Sequence, residues 1–273
     1  MEIDEIKKQF RELDIAKYPK LSERGLLRDQ IYREKMGPGG LFLASEMCSL
    51  IENHLKPGMR VLDLGCGRAT TSIFISQTCG AIVYAVDLWV SANDLFSEIS
   101  RENCENRVLP FNLDATKVLP FPADYFDTIF CMDAFHYFGA DEGFLQRISA
   151  HLKPDGQFIV GNPCFDREFE GEIPPVYRDF WTDEFSKYHS PAWWKNLFER
   201  SGLFGDIKSA EAVDGVILWE DDILYDLSTG NERAGRIHAD ADEIVFGHQN
   251  PQYPYLTHYI LSAKRLVQDR SVN

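Results

Sequence analysis

The residues best suited to hold a cofactor lie where two short apolar runs give way to turns. Asp63, Gly65, Cys66 and Gly67 end the first run, and Asp87 ends the second. Glycine adopts backbone angles closed to other residues and lets a ligand approach the main chain, and the free amides of a following helix can receive an electronegative group. A carboxylate at the next strand end can accept both hydroxyl protons of a ribose. The two runs together predict a site for a nucleoside cofactor.

The spacing of the glycines distinguishes two kinds of nucleoside cofactor. Dinucleotide sites use G-x-G-x-x-G, whereas no glycine stands three residues after Gly67. The arrangement D-x-G-x-G of Asp63, Gly65 and Gly67 instead resembles motif I of the class I S-adenosylmethionine-dependent methyltransferases, with Ala69 in place of a third glycine. The resemblance runs from about residue 60 to residue 162 and implies that this turn binds S-adenosyl-L-methionine. A buried strand that ends in an ordinary turn is the alternative.

The resemblance implies further cofactor contacts at the ends of the next strands. In the family, a residue after the second strand packs on the adenine, an acidic residue after the third strand meets its amino group, and the next backbone amide meets the ring. Here these positions are Leu88, with Trp89 beside it, then Asp114 and Ala115. The fourth strand, which contains Cys131, corresponds to the segment beside the methionine part of the cofactor. Asp114 has an alternative role as the N-cap of a helix from Ala115 onward.

Methyl transfer needs a nucleophile held in line with the S–CH3 bond and shielded from water, and it needs a general base only if the acceptor is protonated. His136 is the candidate base, and a role in shaping the cofactor site is its alternative. Glu46, Glu172 and the pair Asp221-Asp222 could hold a cationic acceptor or lie on a charged surface. Aromatic residues and one methionine outside the core repeat could line an acceptor pocket or a lid, although each is also typical of core packing. These candidates are Tyr18, Tyr32, Met36, Tyr177, Phe180, Trp181, Tyr188, Trp193, Trp194 and Trp219.

Apolar runs and helical segments alternate from Met59 to Pro163, which predicts an α/β fold with a doubly wound, Rossmann-like parallel sheet. The resemblance implies seven strands, the last of them antiparallel. The predicted strands are 59–65, 81–87, 107–114, 127–133, 157–163, 207–213 and 255–265, and the predicted helices are 70–79, 91–102, 141–152, 190–202 and an insertion over 219–247.

The first 40 residues stand apart from this alternation. Their pattern predicts an amphipathic helix over the first dozen residues and a second helical segment over 26–36, before a breaker at 37–40 and a helix over 41–55. In the family such additions often close over the cofactor, and the alternative is that they cover a sheet edge. We therefore expect one methyltransferase domain with a helical cap or lid (1–40), a cofactor-binding core (41–163), a substrate-side insertion (164–253), and a final strand and tail (254–273).

Charge and cysteine usage exclude several partners. The 43 acidic and 28 basic residues give a net charge of −15, which disfavours nucleic acid. Six cysteines without a C-x-x-C pair predict reduced thiols, and the histidines lack metal-ligand spacing, so no metal is expected. The N-terminal residues do not show the pattern of a secretory leader, and no apolar run approaches membrane-spanning length, so we expect neither secretion nor a membrane span. The expected location is cytoplasmic, without stable membrane association.

The main prediction is a methyltransferase that transfers a methyl group from S-adenosylmethionine to a small-molecule nucleophile. Cyclopropane fatty acid synthases share this core and alkylate a lipid double bond, but that chemistry would require a long apolar tunnel and a basic membrane-facing patch. A catalytically inactive subunit that binds S-adenosylmethionine is a further alternative. A nicotinamide oxidoreductase is disfavoured by the glycine spacing.

Overall fold

A computed structural model describes most of the chain and shows one central sheet. The described residues are 2–51, 54–139, 141–173, 175–178, 181–230 and 237–267. Phe180 and the tail residues 268–273 lie outside them. The strands are β1 (Arg60–Leu64), β2 (Ile82–Asp87), β3 (Val108–Asn112), β4 (Phe126–Met132), β5 (Leu152–Phe165), β6 (Phe204–Glu211) and β7 (Leu256–Arg265).

The strand order confirms the predicted fold class. Within the described residues the sheet has seven strands in the order β3-β2-β1-β4-β5-β7-β6. The neighbours from β3 to β5 are parallel, and β7 runs antiparallel to both β5 and β6. The chain crosses over between β1 and β4, so a crevice opens at the carboxyl ends of these two strands.

Helices cover both faces of the sheet. Successive β1 residues point to opposite faces, so Val61 packs in one apolar core with Phe42 and Phe74, and Leu62 packs in the other with Phe158. The helices are α1 (Ile3–Gln9), α2 (Pro19–Ser22), α3 (Arg28–Ile31), α4 (Gly40–Ile51), α5 (Thr70–Cys79), α6 (Ala92–Arg101), α7 (Glu142–Ser149), α8 (Pro191–Ser201), α9 (Gly215–Thr229) and α10 (Ile237–Gln249).

Several predicted helices have different bounds in the structure: the helix predicted over 41–55 is described over Gly40–Ile51, and the insertion predicted over 219–247 begins at Gly215 and contains two helices. The predicted segment 26–36 contains only the single turn α3, because the backbone at Glu34 is left-handed (φ 53°) and ends any helix there. The predicted helix 141–152 ends at Ser149, because Leu152 already pairs with Phe126 as the first residue of β5. The N-terminal helix is confirmed, and α2 starts at Pro19, a residue suited to the first helical position.

The N-terminal segment is joined to α9 by polar contacts, which we call the cap network. The Lys35 ammonium lies 2.6 Å from the Asp222 carboxylate and 2.8 Å from that of Asp226, and all three side chains are about 95% buried or more. Nearer the N-terminus, the backbone N–H of Leu13 donates to Asp221 at 2.8 Å. The acids of α9 thus hold residues 11–35 against the C-terminal half of the chain.

Candidate cofactor and acceptor site

A cavity of about 280 Å³ lies at the carboxyl ends of β1, β2 and β4, in the crevice that the strand order creates. It brings together most of the residues that the sequence predicted for the cofactor, together with one lid candidate. These are Gly65, Cys66, Gly67, Asp87, Leu88, Asp114, Ala115 and Met36. We call it the first cavity.

The glycine turn has a geometry that only glycine satisfies. Gly65 has φ 69°, and a Cβ there would lie 2.3 Å from the Cβ of Ala134. Ala69, the N-cap of α5, has no side chain that bonds the first-turn amides. Thr70 and Thr71 of that first turn line the first cavity. The start of α5 therefore offers uncapped N–H groups and the positive end of a helix dipole to an electronegative group.

Asp87 is fixed in place before any ligand arrives. Its Oδ1 accepts the N–H groups of Trp89 (2.7 Å) and Val90 (3.0 Å), and its Oδ2 accepts that of Gly67 (2.9 Å). A carboxylate has about four acceptor positions, so roughly one remains, on Oδ2. We therefore expect Asp87 to accept one strong hydrogen bond from a ribose hydroxyl. Its position at the end of a strand had predicted that it would accept two.

Leu88 and Trp89 form an apolar ledge at the mouth of the first cavity. Their side chains are 53% and 64% exposed, although both line the cavity. Trp89 also packs edge-on against Tyr137, with ring centroids 5.1 Å apart. An exposed apolar ledge beside a polar carboxylate suits a flat heteroaromatic ring attached to a sugar.

Asp114 lines the first cavity but does not cap a helix. Its Oδ1 accepts the backbone N–H of Thr116 at 3.0 Å, in a turn that no helix follows. Hydrogen bonds from Thr116 and then Lys117 lower the pKa of its carboxyl. The alternative role of Asp114 as the N-cap of a helix from Ala115 onward is therefore wrong, and an ionised Asp114 faces the cavity.

Asp63 and Cys131 lie behind the cavity wall. Asp63 is 1% exposed, and its Oδ2 accepts the hydroxyl of Ser72 at 2.6 Å, which links β1 to α5. Burial raises the pKa of its carboxyl to about 7. Cys131 is fully buried, and burial raises the pKa of its thiol. Met132 and Asp133, the next residues, line the cavity in its place.

His136 lies outside the described lining of the first cavity and also outside that of a second cavity that adjoins it. The Asn162 amide accepts the N–H of Phe135 at 3.1 Å, which orients its NH2 group toward His136 Nδ1 at 2.6 Å. The Nε2 atom therefore carries the proton and lies 3.7 Å from Glu184. Burial lowers the pKa of the imidazole, with Glu184 opposing the shift. A neutral His136 thus faces an acid and not a cavity.

The predicted acceptor and lid aromatics are mostly packing residues. The hydroxyl of Tyr18 donates to Asp214 at 2.9 Å, that of Tyr32 to Asp221, and that of Tyr177 to the carbonyl of Pro254. Burial raises the pKa of all three phenols. These three tyrosines lie outside the described linings of the cavities. The same holds for three tryptophans: Trp181 stacks on Phe165, Trp193 stacks on His189, and Trp194 is fully buried.

The acids proposed for a cationic acceptor are also in other places. Asp221 and Asp222 belong to the cap network, and Glu46 accepts the backbone N–H of Val213 at 3.2 Å. Glu172 is exposed. All four lie outside the described linings.

A second cavity of about 140 Å³ adjoins the first. Both are lined by Met36, Gly37, Asp133 and Tyr137, so the two spaces meet at these residues. Sequence reasoning missed Asp133, although it follows a strand end as Asp87 and Asp114 do. Tyr188 and Trp219, two of the predicted aromatics, line the second cavity.

Among the described residues, no helix is long and apolar enough to cross a membrane. No group of three or more His, Cys, Asp or Glu residues there could hold a metal ion.

Comparisons with known proteins agree with this geometry. Residues 61–156 match the model of a methyltransferase domain. Over 150 residues the chain is 24% identical to a glycine/sarcosine/dimethylglycine N-methyltransferase of Actinopolyspora halophila, covering 55% of this chain and 26% of that protein. Over 152 residues it is 25% identical to the phosphoethanolamine N-methyltransferase of Plasmodium falciparum, covering 55% and 52%. This chain thus spans about a quarter to a half of these relatives.

A solved structure shares the fold. Phosphoethanolamine N-methyltransferase 2 of Haemonchus contortus, in complex with S-adenosyl-L-methionine, superposes with a TM-score of 0.65 at 19% identity, covering 88% of this chain and 56% of that one. The motif from Asp63 to Gly67, the strand order and the domain match agree with one another. Residues 61–156 match a methyltransferase domain, and the chain is similar to class I S-adenosylmethionine-dependent methyltransferases.

Proposed function

We propose that the protein transfers a methyl group from S-adenosyl-L-methionine to a small-molecule acceptor. The observation that carries this proposal is the first cavity, where a glycine turn, a preorganised Asp87 and an apolar ledge meet at the switch point of the sheet. When bound, the cofactor supplies a methyl group on a positively charged sulfur, which leaves as a neutral thioether.

Each part of the cofactor has a matching group in the first cavity. We propose that the adenine packs on Leu88 near Ala115, with Asp114 accepting from its amino group, because the ledge is apolar and the carboxylate is ionised. A ribose hydroxyl would donate to Oδ2 of Asp87, which has an acceptor position left. The carboxylate of the methionine part would bind the uncapped amides of α5.

The second cavity is the proposed acceptor site because it opens onto the first. The relatives are named for small acceptors, glycine derivatives and phosphoethanolamine, which supports a small molecule here. His136 touches neither cavity, so we assign it a positioning role through Glu184 in place of direct proton transfer.

The acids of the second cavity and the state of the cysteines bear on the alternative functions and on the cellular location. The second cavity contains four acids among its described lining residues, which speaks against the apolar tunnel that lipid alkylation requires. An inactive binding subunit would show the same geometry, so activity decides that case. None of the six cysteines, all of them among the described residues, forms a disulfide, which supports a reducing, cytoplasmic location.

The cap network supports a modified lid proposal. Separating a buried ion pair leaves a buried charge without its counter-ion, which costs several kcal/mol. Moving the cap away from α9 would separate Lys35 from Asp222 and Asp226 and therefore costs much free energy. We propose that residues 3–36 and α9 cover both cavities as one unit.

The test of the function uses isothermal titration and methyl transfer. The wild-type protein should bind S-adenosylmethionine and S-adenosylhomocysteine but not NAD, and should release S-adenosylhomocysteine when acceptors are added. Leu88→Asp should weaken cofactor binding about tenfold because it puts a charge under the ring. Leu50→Asp replaces a similarly exposed leucine (60%) outside the described linings and should change nothing. Equal cofactor binding by both variants, or NAD binding, would reject the site.

A further inference from the structure

Most polar side chains in the wall of the second cavity already have a partner. The hydroxyl of Tyr137 donates to Glu184, and the indole N–H of Trp219 donates to the carbonyl of Thr257 at 3.5 Å. Each acid of the described lining has a partner as well, and these acids are Asp133, Glu184, Asp240 and Glu243. These groups are therefore engaged within the protein before an acceptor enters.

Tyr188 differs from the other polar residues of this wall. It lines the second cavity and is 7% exposed. Its ring packs edge-on against that of His136, with centroids 5.2 Å apart, and at a tilt against that of Phe185, at 5.5 Å. Its hydroxyl has no hydrogen-bond partner among the described residues. Burying a hydroxyl without a hydrogen bond costs free energy, and a ligand atom that supplies the bond removes this cost.

The hydroxyl end of the Tyr188 ring faces the second cavity. Burial raises the pKa of this phenol, and the groups that raise it further all line that cavity. They are Asp133, Glu184, Tyr137 and Glu243. The hydroxyl therefore keeps its proton and can donate it in a hydrogen bond to a bound molecule. Asp133 and Tyr137 also line the first cavity, so this donor lies near the place where the two spaces meet.

A second tyrosine shows what the cavity adds. Tyr259 of β7 is fully buried and stacks on Trp194, and its hydroxyl also has no hydrogen-bond partner among the described residues. It lies outside the described linings of both cavities, so a molecule held in either one does not contact it. Tyr188 and Tyr259 are thus a matched pair of buried phenols that differ in access to a ligand.

The size of the second cavity suits a small ring. Its volume is about 140 Å³, and an apolar cavity of about 150 Å³ can hold a benzene molecule. Phe185, Trp219 and Leu256 supply apolar surface around the Tyr188 hydroxyl. The space therefore accepts a molecule of about the size of phenol.

We propose that the hydroxyl of Tyr188 binds a hydroxyl oxygen of the methyl acceptor, so that the acceptor belongs to the class of small, uncharged hydroxylated molecules. This inference rests on the proposed function and names a specificity-determining residue of its acceptor site. The phenol O–H of Tyr188 donates to a lone pair of the acceptor oxygen. An analogue without that oxygen leaves the buried hydroxyl unpaired and is therefore rejected.

The test uses two probes that differ in one group. Phenol and toluene have nearly the same shape, with a hydroxyl in the first and a methyl in the second. Their dissociation constants are measured on the full chain by NMR titration, with and without saturating S-adenosylhomocysteine. Tyr188→Phe should weaken phenol binding about three- to tenfold and leave toluene binding within about twofold. The melting temperature should not fall, because no hydrogen bond within the described residues is lost.

Tyr259→Phe is the matched control. It removes the same atom from a buried tyrosine outside the described linings and should leave both affinities within about twofold. The Cζ resonance of Tyr188 gives a readout without any variant, since it should shift with phenol and stay unchanged with toluene. 

Four results would overturn the inference: no binding of phenol by the wild type, unchanged phenol binding in Tyr188→Phe, equal losses for phenol and toluene in that variant, or equal losses of phenol binding in the two variants. Failure to bind S-adenosylhomocysteine would reject the proposed function separately, because both probes are also titrated without it.

Discussion

The two cavities differ in where their residues come from. The first is built mainly by strand ends and the turns after them, between Gly65 and Phe138, with one wall from residues 31–41. The second draws on residues from 36 to 38, 133 to 137, 184 to 188, 219 and 240 to 256. The sheet therefore fixes the first cavity locally, while the second exists only where the cap, the insertion and the core pack together.

Their chemistry differs in the same way. The first cavity offers backbone amides, a preorganised carboxylate and an apolar ledge, which are features that any nucleoside-binding crevice needs. The second offers acids and aromatic side chains from distant parts of the chain. A fold that hosts many reactions can keep the first kind of site and vary the second.

The largest expected effect comes from the cap network, which supports both cavities at once. Lys35→Met would leave Asp222 and Asp226 without the ammonium that they share, at a cost of about 3–5 kcal/mol in the free energy of unfolding. Arg33→Met removes a cation whose side chain is 44% exposed opposite Glu102, itself 34% exposed, and should cost about 1 kcal/mol or less. Chemical denaturation measures both. Similar losses in the two variants would mean that the cap is not held by its buried pairs.

The next effect concerns the support behind the first cavity. The raised pKa of Asp63 means that the folded protein keeps a proton between pH 4 and pH 7 that the unfolded chain releases, so this group makes stability fall as pH rises through that window. Asp63→Asn keeps an acceptor for Ser72 and does not titrate. Its stability relative to the wild type should therefore increase by about 2–4 kcal/mol between pH 4 and pH 8. Denaturation at both pH values tests this, with Asp4→Asn as an exposed control, and a difference that does not change with pH would contradict it.

Much of the first cavity could be predicted from sequence because its signals are local. A glycine turn after Leu64 and an acid at the end of β2 specify their own geometry, and α5 has the predicted bounds. The alternative of a helix after Asp114 arose because an aspartate in a turn has the same sequence signature as an N-cap.

The second cavity could not be predicted in this way. The residue types do not indicate that Tyr18 and Tyr32 donate hydrogen bonds to acids in the C-terminal half, or that Tyr137 donates one to Glu184. These partners are 47 to 196 residues apart in the sequence. Asp133 is the exception, because its position after β4 was a usable signal. Long-range packing, and not local pattern, decides which aromatics face a cavity.

A smaller effect tests the glycine turn of the first cavity. Gly65→Ala would bring a Cβ 2.3 Å from Ala134 and strain a left-handed position, so it should weaken S-adenosylhomocysteine binding about tenfold or more. Gly58 also has a positive φ, but an added Cβ there would meet nothing within 4 Å and the residue lies outside the described lining, so Gly58→Ala should keep the affinity within about twofold. Titration with a melting-temperature control tests this. Equal losses of affinity in the two variants would show that the turn at Gly65 does not hold the nucleoside.

The smallest expected effect is a change in exchange rates. If the cap and α9 form one cover, S-adenosylhomocysteine should slow hydrogen exchange in residues 3–36 and 215–229 together. Protection that is equal with and without ligand would mean a fixed cover. Protection of only one segment would mean that the cap network does not couple them.

The most direct test is a crystal structure of the protein with S-adenosylhomocysteine bound. We expect the adenine on Leu88, a ribose hydroxyl on Oδ2 of Asp87, and the sulfur facing the junction of the two cavities at Asp133. A nucleoside bound away from the glycine turn, or a sulfur that faces away from Asp133, would contradict this placement.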